Sequence, residues 1–475
     1  MNAPLSRRGL LATFAGIGAA ALVAACSSSP ASAPTAAPSG GPTAPTAAPA
    51  PTTAAPTQAA AGAAPAAPQP AAPGKVTVEL IAASWVIQEW KLPDWVKKYN
   101  DLGGPQINLT QTTDGWDTKV LAMIRQGDVL WDGNGIMTPF IDKVKWVETG
   151  MIQPVDSLIQ SSTAPDAKAL VGDWVPTIKD DITYKGKVYG IPYSVEAIGL
   201  MWLTEFLGGI GAKQAPGTWT DTLDAATQIN GKYKDQQVTP LAWVGALHTS
   251  LQALIHSASK TPYTSDGLLD LTGDAGMKAG DWLVNLVKAG LTPPHGGDGA
   301  IDIWQKRKLA LLMAQNSRGV WAQRIFGMAA AGTGKMPLSE AGGQTSGSPF
   351  WSNTFVVFNK AKHPQELADF YVWLLGPGNK EVWQAIIASG KAPVLNSTYK
   401  TMIETNNDYK WMADFRDQIA ASVAYPENTF WSIQNDKIMP WINKMVTPPF
   451  SLSPKEAMQG ALKDVKDEVA KQKVQ

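Results

Sequence analysis

The chain of 475 residues has a single cysteine, Cys26, so no intramolecular disulfide can form and the folded part must be held by its core alone. Neither sign of charge is in excess. The 40 Lys plus Arg are matched by 40 Asp plus Glu, which argues against nucleic acid or an anionic membrane surface as partner. Only four histidines occur, His248, His256, His295 and His363; the nearest two stand eight apart and no Cys or carboxylate completes a set, so no metal site is expected. A phosphate-cradling loop needs Gly-x-x-x-x-Gly-Lys-Ser/Thr. The nearest segment, Gly332-Thr333-Gly334-Lys335, lacks both the spacing and the following hydroxyl, so no ATP site and no other cofactor is expected. A Gly-x-Ser-x-Gly nucleophile elbow is also missing.

What is present begins with the N-terminus. Ser6-Arg7-Arg8-Gly9-Leu10-Leu11 leads into an apolar stretch from Leu10 to Val23, and Val23-Ala24-Ala25 brings small residues up to Cys26. About 14 apolar residues at 1.5 Å each fall short of a bilayer core of roughly 30 Å, which makes residues 1–26 a removable export signal. The layout resembles a bacterial lipoprotein signal, which implies lipid on Cys26; the paired arginines also resemble a twin-arginine signal, and the general export route stays open. Residues 27–74 are almost entirely Ala, Pro, Thr, Ser and Gly with no charged residue. Such a stretch cannot offset its ordering entropy and reads as a disordered, polyproline-stiffened tether, up to roughly 150 Å long if extended at about 3.1 Å per residue. The expected location is extracytoplasmic, anchored to the cell membrane by lipid on Cys26. Without the signal the balance becomes 38 basic against 40 acidic residues.

Lys75 to Gln475 leaves about 400 residues, more than one compact core usually holds, so two lobes are expected. Val76, Val78 and Leu80 alternate as a strand; Glu89 to Asn100 reads as a helix interrupted near Pro93; Ile107 to Gln111 alternates again; Asp117 to Arg125 reads as a helix ended by Gly127. Strand, helix, strand, helix implies an α/β fold with parallel pairing. Ligands of such sheets bind beyond the carboxyl ends of the strands, where Trp85 and Trp116 fall.

The 19 tryptophans outnumber both 10 Tyr and 11 Phe. Part of them must be core, but Trp85, Trp116, Trp131, Trp351 and Trp431 stand beside turn residues, where a flat indole can stack on the C–H face of a pyranose. Lys185-Gly186 reads as a hairpin turn feeding a short strand, with a second, longer strand from Ser194 to Trp202. Glu196 is a lone carboxylate within that apolar run; it must be solvated or paired, and a wet cleft is the expected setting.

Gly186-Lys187-Val188-Tyr189-Gly190-Ile191-Pro192 followed by Val195-Glu196-Ala197 resembles the first crossover of the family 1 extracellular solute-binding proteins, particularly the maltose-binding type. Further blocks match in order: Thr218 to Leu223 as a helix start, Lys306 to Trp321 as a strand and turn bearing a stacking Trp, His363 to Gly376 as a helix, and Ser389 to Val394 as the third crossover. The resemblance implies an α/β, two-lobe periplasmic-binding-protein fold with a ligand cleft between lobes and three hinge crossovers. Lobe 1 would comprise 75–192 plus 350–394, and lobe 2 193–349 plus 395–475. It implies ligand contacts from Glu196, Trp321, Trp431 and Trp243. The loop argument adds Trp85, Trp116 and Trp351. Where the family carries Gly-x-x-Pro-Asp, this chain has Gln126 to Asp132 without that Pro, leaving Asp132 or Asn134 as the contact.

The function so implied is a monomeric, non-enzymatic receptor that captures a sugar or oligosaccharide and delivers it to ABC permease subunits. Two alternatives stand beside it. A glycoside hydrolase would need two facing carboxyl groups, for which Glu196 with Asp132 or Asp270 would have to serve. The same fold could also hold a non-sugar solute, although an anion would call for several arginines and Arg318 with Arg324 is the only close pair after the signal.

Overall fold

The computed structural model describes residues 75–113, 115–293, 299–327 and 329–473. The expectations for the signal, for Cys26 and for the 27–74 tether lie outside these residues, as does His295. Strand β1 (Thr77–Ala82) buries Val78 and Leu80 completely and pairs in parallel with β2 (Gln106–Gln111) and β3 (Gly133–Met137). Helices α1 (Ser84–Glu89), α2 (Leu92–Asp101) and α3 (Trp116–Gln126) make the connections, and α4 (Pro139–Glu148) follows β3. The parallel α/β start therefore forms as its periodicity dictates, with Gly127 at φ 83 closing α3. The expected helical break is displaced: the chain turns at Trp90 and Lys91, the latter at φ 57, while Pro93 sits in the first turn of α2, where no N–H is required. Because α1 starts at Ser84, Trp85 belongs to a helix and not to a free loop.

A hairpin follows, β4 (Thr183–Tyr184) and β5 (Lys187–Val188), turned by Lys185 and Gly186, both at positive φ. Next comes β6 (Ile191–Leu203), a single strand of 13 residues where two were expected. Its near-continuous apolar run is buried throughout except at Trp202, as suits a strand covered on both faces. The remaining strands are β7 (Thr239–Trp243), β8 (Leu309–Gln315), β9 (Ala331–Lys335) and β10 (Phe350–Val357). The sheet path runs β2-β1-β3-β10-β6-β8-β7, with β9 also on β6.

Strand β6 changes partners midway. Ile191 to Ala197 pairs with β10, placing Ser194 opposite Asn353 and Glu196 opposite Trp351; Ile198 to Leu203 runs between β8 and β9. At the change, the amide of Ala197 donates to Asn316 Oδ1 (2.8 Å) and that of Ile198 to Ser348 Oγ (3.0 Å). Gly199 follows immediately, and a Cβ there would stand 2.2 Å from the carbonyl of Gly334 and 2.6 Å from the Phe415 ring. The Val195 amide donates to the Ala392 carbonyl (2.9 Å), so three chain segments lie side by side here. The described residues form one compact unit, and the shift in pairing along β6 marks where the sheet divides.

Two further helix starts are closed by reciprocal caps. Thr218 and Asp221 exchange side-chain and backbone bonds at the start of the helix Trp219–Tyr233, and Ser453 and Glu456 do so ahead of Pro454–Lys473, whose Met458 and Val465 are buried. The helix Pro364–Leu375 fills the segment expected for it.

Candidate functional site

Where the three segments meet, a charged group forms. Lys391 Nζ lies 2.5 Å from Glu196 Oε1 and 3.5 Å from Glu89 Oε2, and 5.0 Å from the centre of the Trp85 ring. Glu196 is 3 % exposed and also accepts the Ser317 amide (3.3 Å). It is thus paired where a wet cleft was expected. Burial raises the Glu89 carboxyl and Lys391 partly offsets this; burial also pulls the Lys391 ammonium down, but the two glutamates outweigh it and the net direction is up. Trp85 and Glu196 are therefore gathered around one cation.

Across the β6–β10 ladder from Glu196, Trp351 enters an aromatic group. Phe140 of α4 lies 5.6 Å from Trp351 and 4.7 Å from Trp431, and stacks on Tyr425 at 4.6 Å; His248 sits 5.1 Å from Trp351 and 5.6 Å from Trp431. Trp431 begins the helix Trp431–Val446, so the group joins α4 of the first sheet half to elements of the second. Burial lowers His248 to about 4 and His256, further back, to about 3, so both rings are neutral. No group of three or more His, Cys, Asp or Glu side chains among the described residues is placed to hold a metal.

A cavity of about 630 Å³ opens at the carboxyl ends of β1, β2 and β3, lined among others by Ser84, Gln111, Thr112, Trp116, Asp142 and Trp146. Trp116 packs edge-on against Trp146 (5.4 Å). Asp142 accepts the Thr138 amide (3.0 Å), and burial, eased by that bond, lifts its carboxyl to about 6. The wall thus offers an indole face, hydroxyls, an amide and a carboxylate. The volume falls within the roughly 300–1,000 Å³ usual for small-molecule sites.

Three expected contacts stand elsewhere. Asp132 is 3 % exposed and both its oxygens are engaged, by the amides of Glu79 (2.9 Å) and His363 (2.8 Å), so it braces β1 against the start of the helix Pro364–Leu375. Trp243, 1 % exposed at the end of β7, is core. In this structure neither presents a free surface to a cavity. Trp321 was expected in a Gly-rich turn but lies within the helix Ser317–Phe326, half-buried and edge-on to Phe326 (6.4 Å). Asp270, raised as a carboxylate partner for Glu196, accepts the Gly273 amide (3.0 Å) within its own loop.

Sequence reasoning missed Glu89, Phe140, Asp142, His248 and Lys391. Lys391 carried a signal, being the one charge in the Ser389–Val394 crossover opposite a lone buried glutamate. Asp142 reads as an ordinary first-turn carboxylate of α4, and Phe140 as plain core.

Comparison with known proteins adds the following. A family described as bacterial extracellular solute-binding protein matches residues 94–414. A lactose-binding protein of Rhizobium radiobacter is 24 % identical over 202 residues, 40 % of this chain and 46 % of that protein, so the match spans about half the relative's length. Among solved structures, maltose-bound MalE3 of T. maritima superposes with a TM-score of 0.66 at 14 % identity, over 83 % of this chain and 100 % of that one. The cyclic alpha-maltosyl-1,6-maltose binding protein of Arthrobacter globiformis gives 0.67 at 17 %, over 84 % and 100 %. The GacH receptor of Streptomyces glaucescens, solved unliganded and with acarbose, gives 0.66 at 15 %, over 84 % and 99 %. At these identities the likeness establishes a shared fold.

Proposed function

Since the chain belongs to the bacterial extracellular solute-binding proteins, we propose that it captures a sugar or oligosaccharide and hands it to the permease of an ABC importer. The observation that carries this reading is the cavity at the carboxyl ends of β1–β3, which combines the Trp116 indole with hydroxyl, amide and carboxylate groups. Flat apolar faces and hydroxyl-bonding groups are what a sugar ring presents in complement. The relatives named for lactose and maltose, and the acarbose complex, support the same cargo class.

The two halves of the sheet would act as lobes, 75–192 plus 350–394 and 193–349 plus 395–475. The partner change after Ala197 supports a boundary inside β6, a few residues past the one read from sequence. Cargo would meet one lobe first and favour the closed arrangement because only then do both lobes touch it. Trp85, Trp116, Glu196, Trp321, Trp351 and Trp431 remain the proposed contacts, now with Asp142. The protein would act as a monomer, held at the cell surface by lipid on Cys26; no described helix is long and apolar enough to cross a membrane.

The family and fold neighbours are binding proteins. A binding role without catalysis is further supported by Glu196, whose charge is matched by Lys391, while Asp132 and Asp270 are each engaged by backbone amides of their own surroundings. The test is calorimetric and tryptophan-fluorescence titration with a panel of mono- and oligosaccharides, alongside an assay for released reducing ends. Saturable binding without cleavage is expected. Absence of binding across the panel would overturn the cargo class, and cleavage would overturn the receptor reading.

A further inference from the structure

Phe140 is the second residue of α4, yet most of the rings around it belong to the other half of the sheet. It lies flat on Tyr425 (4.6 Å, 16° between planes) and meets Trp431 edge-on (4.7 Å, 81°). Trp351 and His248 close the sides at 5.6 and 6.0 Å. Within this box, Trp431 Nε1 and His248 Nδ1 are buried without a hydrogen-bond partner. Buried indole and imidazole nitrogens normally find one. A phenyl ring matches the flat walls and can satisfy neither nitrogen; a ring with the same flat faces and a hydroxyl at its edge would do both.

We propose that Phe140 is an internal stand-in for a sugar ring, which cargo must displace from the Trp351–Trp431 box before it can occupy it. The idea deepens the sugar-capture reading and rests on it. The position of Phe140 couples the box to the cavity: Asp142 and Trp146, on the opposite face of the same helix, line the cavity wall. Displacement of the phenyl ring by a shift of α4 would move that wall as well. By mass action, a competitor built into the chain weakens apparent affinity by the fraction of molecules in which it is seated.

The experiment uses the full chain with Phe140→Ala and with Phe140→Leu, which keeps apolar volume but has no flat face and serves if the alanine variant does not melt cooperatively. Without sugar, the variant should show a larger radius of gyration in small-angle scattering and a red-shifted tryptophan emission, because Trp351 and Trp431 lose their cover. For the sugar that binds wild type, Kd should fall about threefold to tenfold, the factor a removed aromatic contact provides. Unchanged scattering and emission, or an unchanged or weakened affinity, would overturn the proposal. A wild type that binds no sugar in the panel defeats the cargo reading separately; the cargo-free scattering then still decides whether Phe140 holds the box shut.

Discussion

Lys391 reaches from the third crossover to Glu196 on β6, 2.5 Å away, in a setting where both are almost fully buried. Two segments 195 residues apart in sequence are thus joined by charge at the point where β6, β10 and residues 390–396 run together. Removing one partner leaves the other uncompensated in the interior. Lys391→Met should therefore cost about 3–5 kcal/mol in urea denaturation, whereas Lys391→Met combined with Glu196→Gln should recover most of that loss. Equal losses in the single and double variants would show that the pairing is not what stabilises the junction.

Asp142 gives stability a pH dependence of definite sign. Burial raises its carboxyl from the ordinary 3.8 to about 6, so the fold favours the neutral form. Its contribution is complete below about pH 4 and is lost as pH rises through about 6. Asp142→Asn should match wild type near pH 4 and exceed it by up to about 3 kcal/mol at pH 7.5. Thermal melts of both proteins across this range check the prediction; a gap that stays constant with pH would remove Asp142 from it.

The tryptophans separate by role. Trp116→Ala and Trp431→Ala should weaken sugar affinity by about tenfold or more with modest change in melting temperature, as expected of stacking platforms. Trp243→Ala should instead cost about 3–5 kcal/mol of stability, since it empties a fully closed site in the core. Paired calorimetry and denaturation assign each indole. An affinity loss at Trp243 with intact stability would return it to the site.

Gly199 stands where no side chain fits. Gly199→Ala would press a methyl into the Gly334 carbonyl and the Phe415 ring, so β9 or the helix Trp411–Ala420 must shift. A loss of about 1–3 kcal/mol is expected from such overpacking, read as a lowered urea midpoint at unchanged slope. Wild-type stability in this variant would mean that β9 yields freely.

Local structure was legible in the residues wherever the physics is local. The alternation of Val78 and Leu80 and the Gly127 stop after α3 each depend on neighbours within a turn or two. The fold and its three adjacent crossovers followed from resemblance. The site was less legible because it depends on distant partners. That Glu196 had to be solvated or paired could be argued from its apolar surroundings, but not that Lys391 was the partner. Asp132 and Trp243 look like binding residues by type, yet two backbone amides claim the first and the core encloses the second. Phe140 shows the converse: an unremarkable residue by type acquires interest only through the four rings around it.

The joint in β6 is fastened in large part by side chains. The Ala197 amide is held by Asn316 and the Ile198 amide by Ser348, beside a longer bond to the Pro349 carbonyl (3.3 Å), and the two side-chain torsions can turn without breaking a ladder rung. The sheet can thus flex at this place while its hydrogen-bonded ladders on either side stay closed. In deuterated solvent these two positions would exchange first along the strand, and slowing of that exchange on adding cargo would locate the pivot to a single peptide unit.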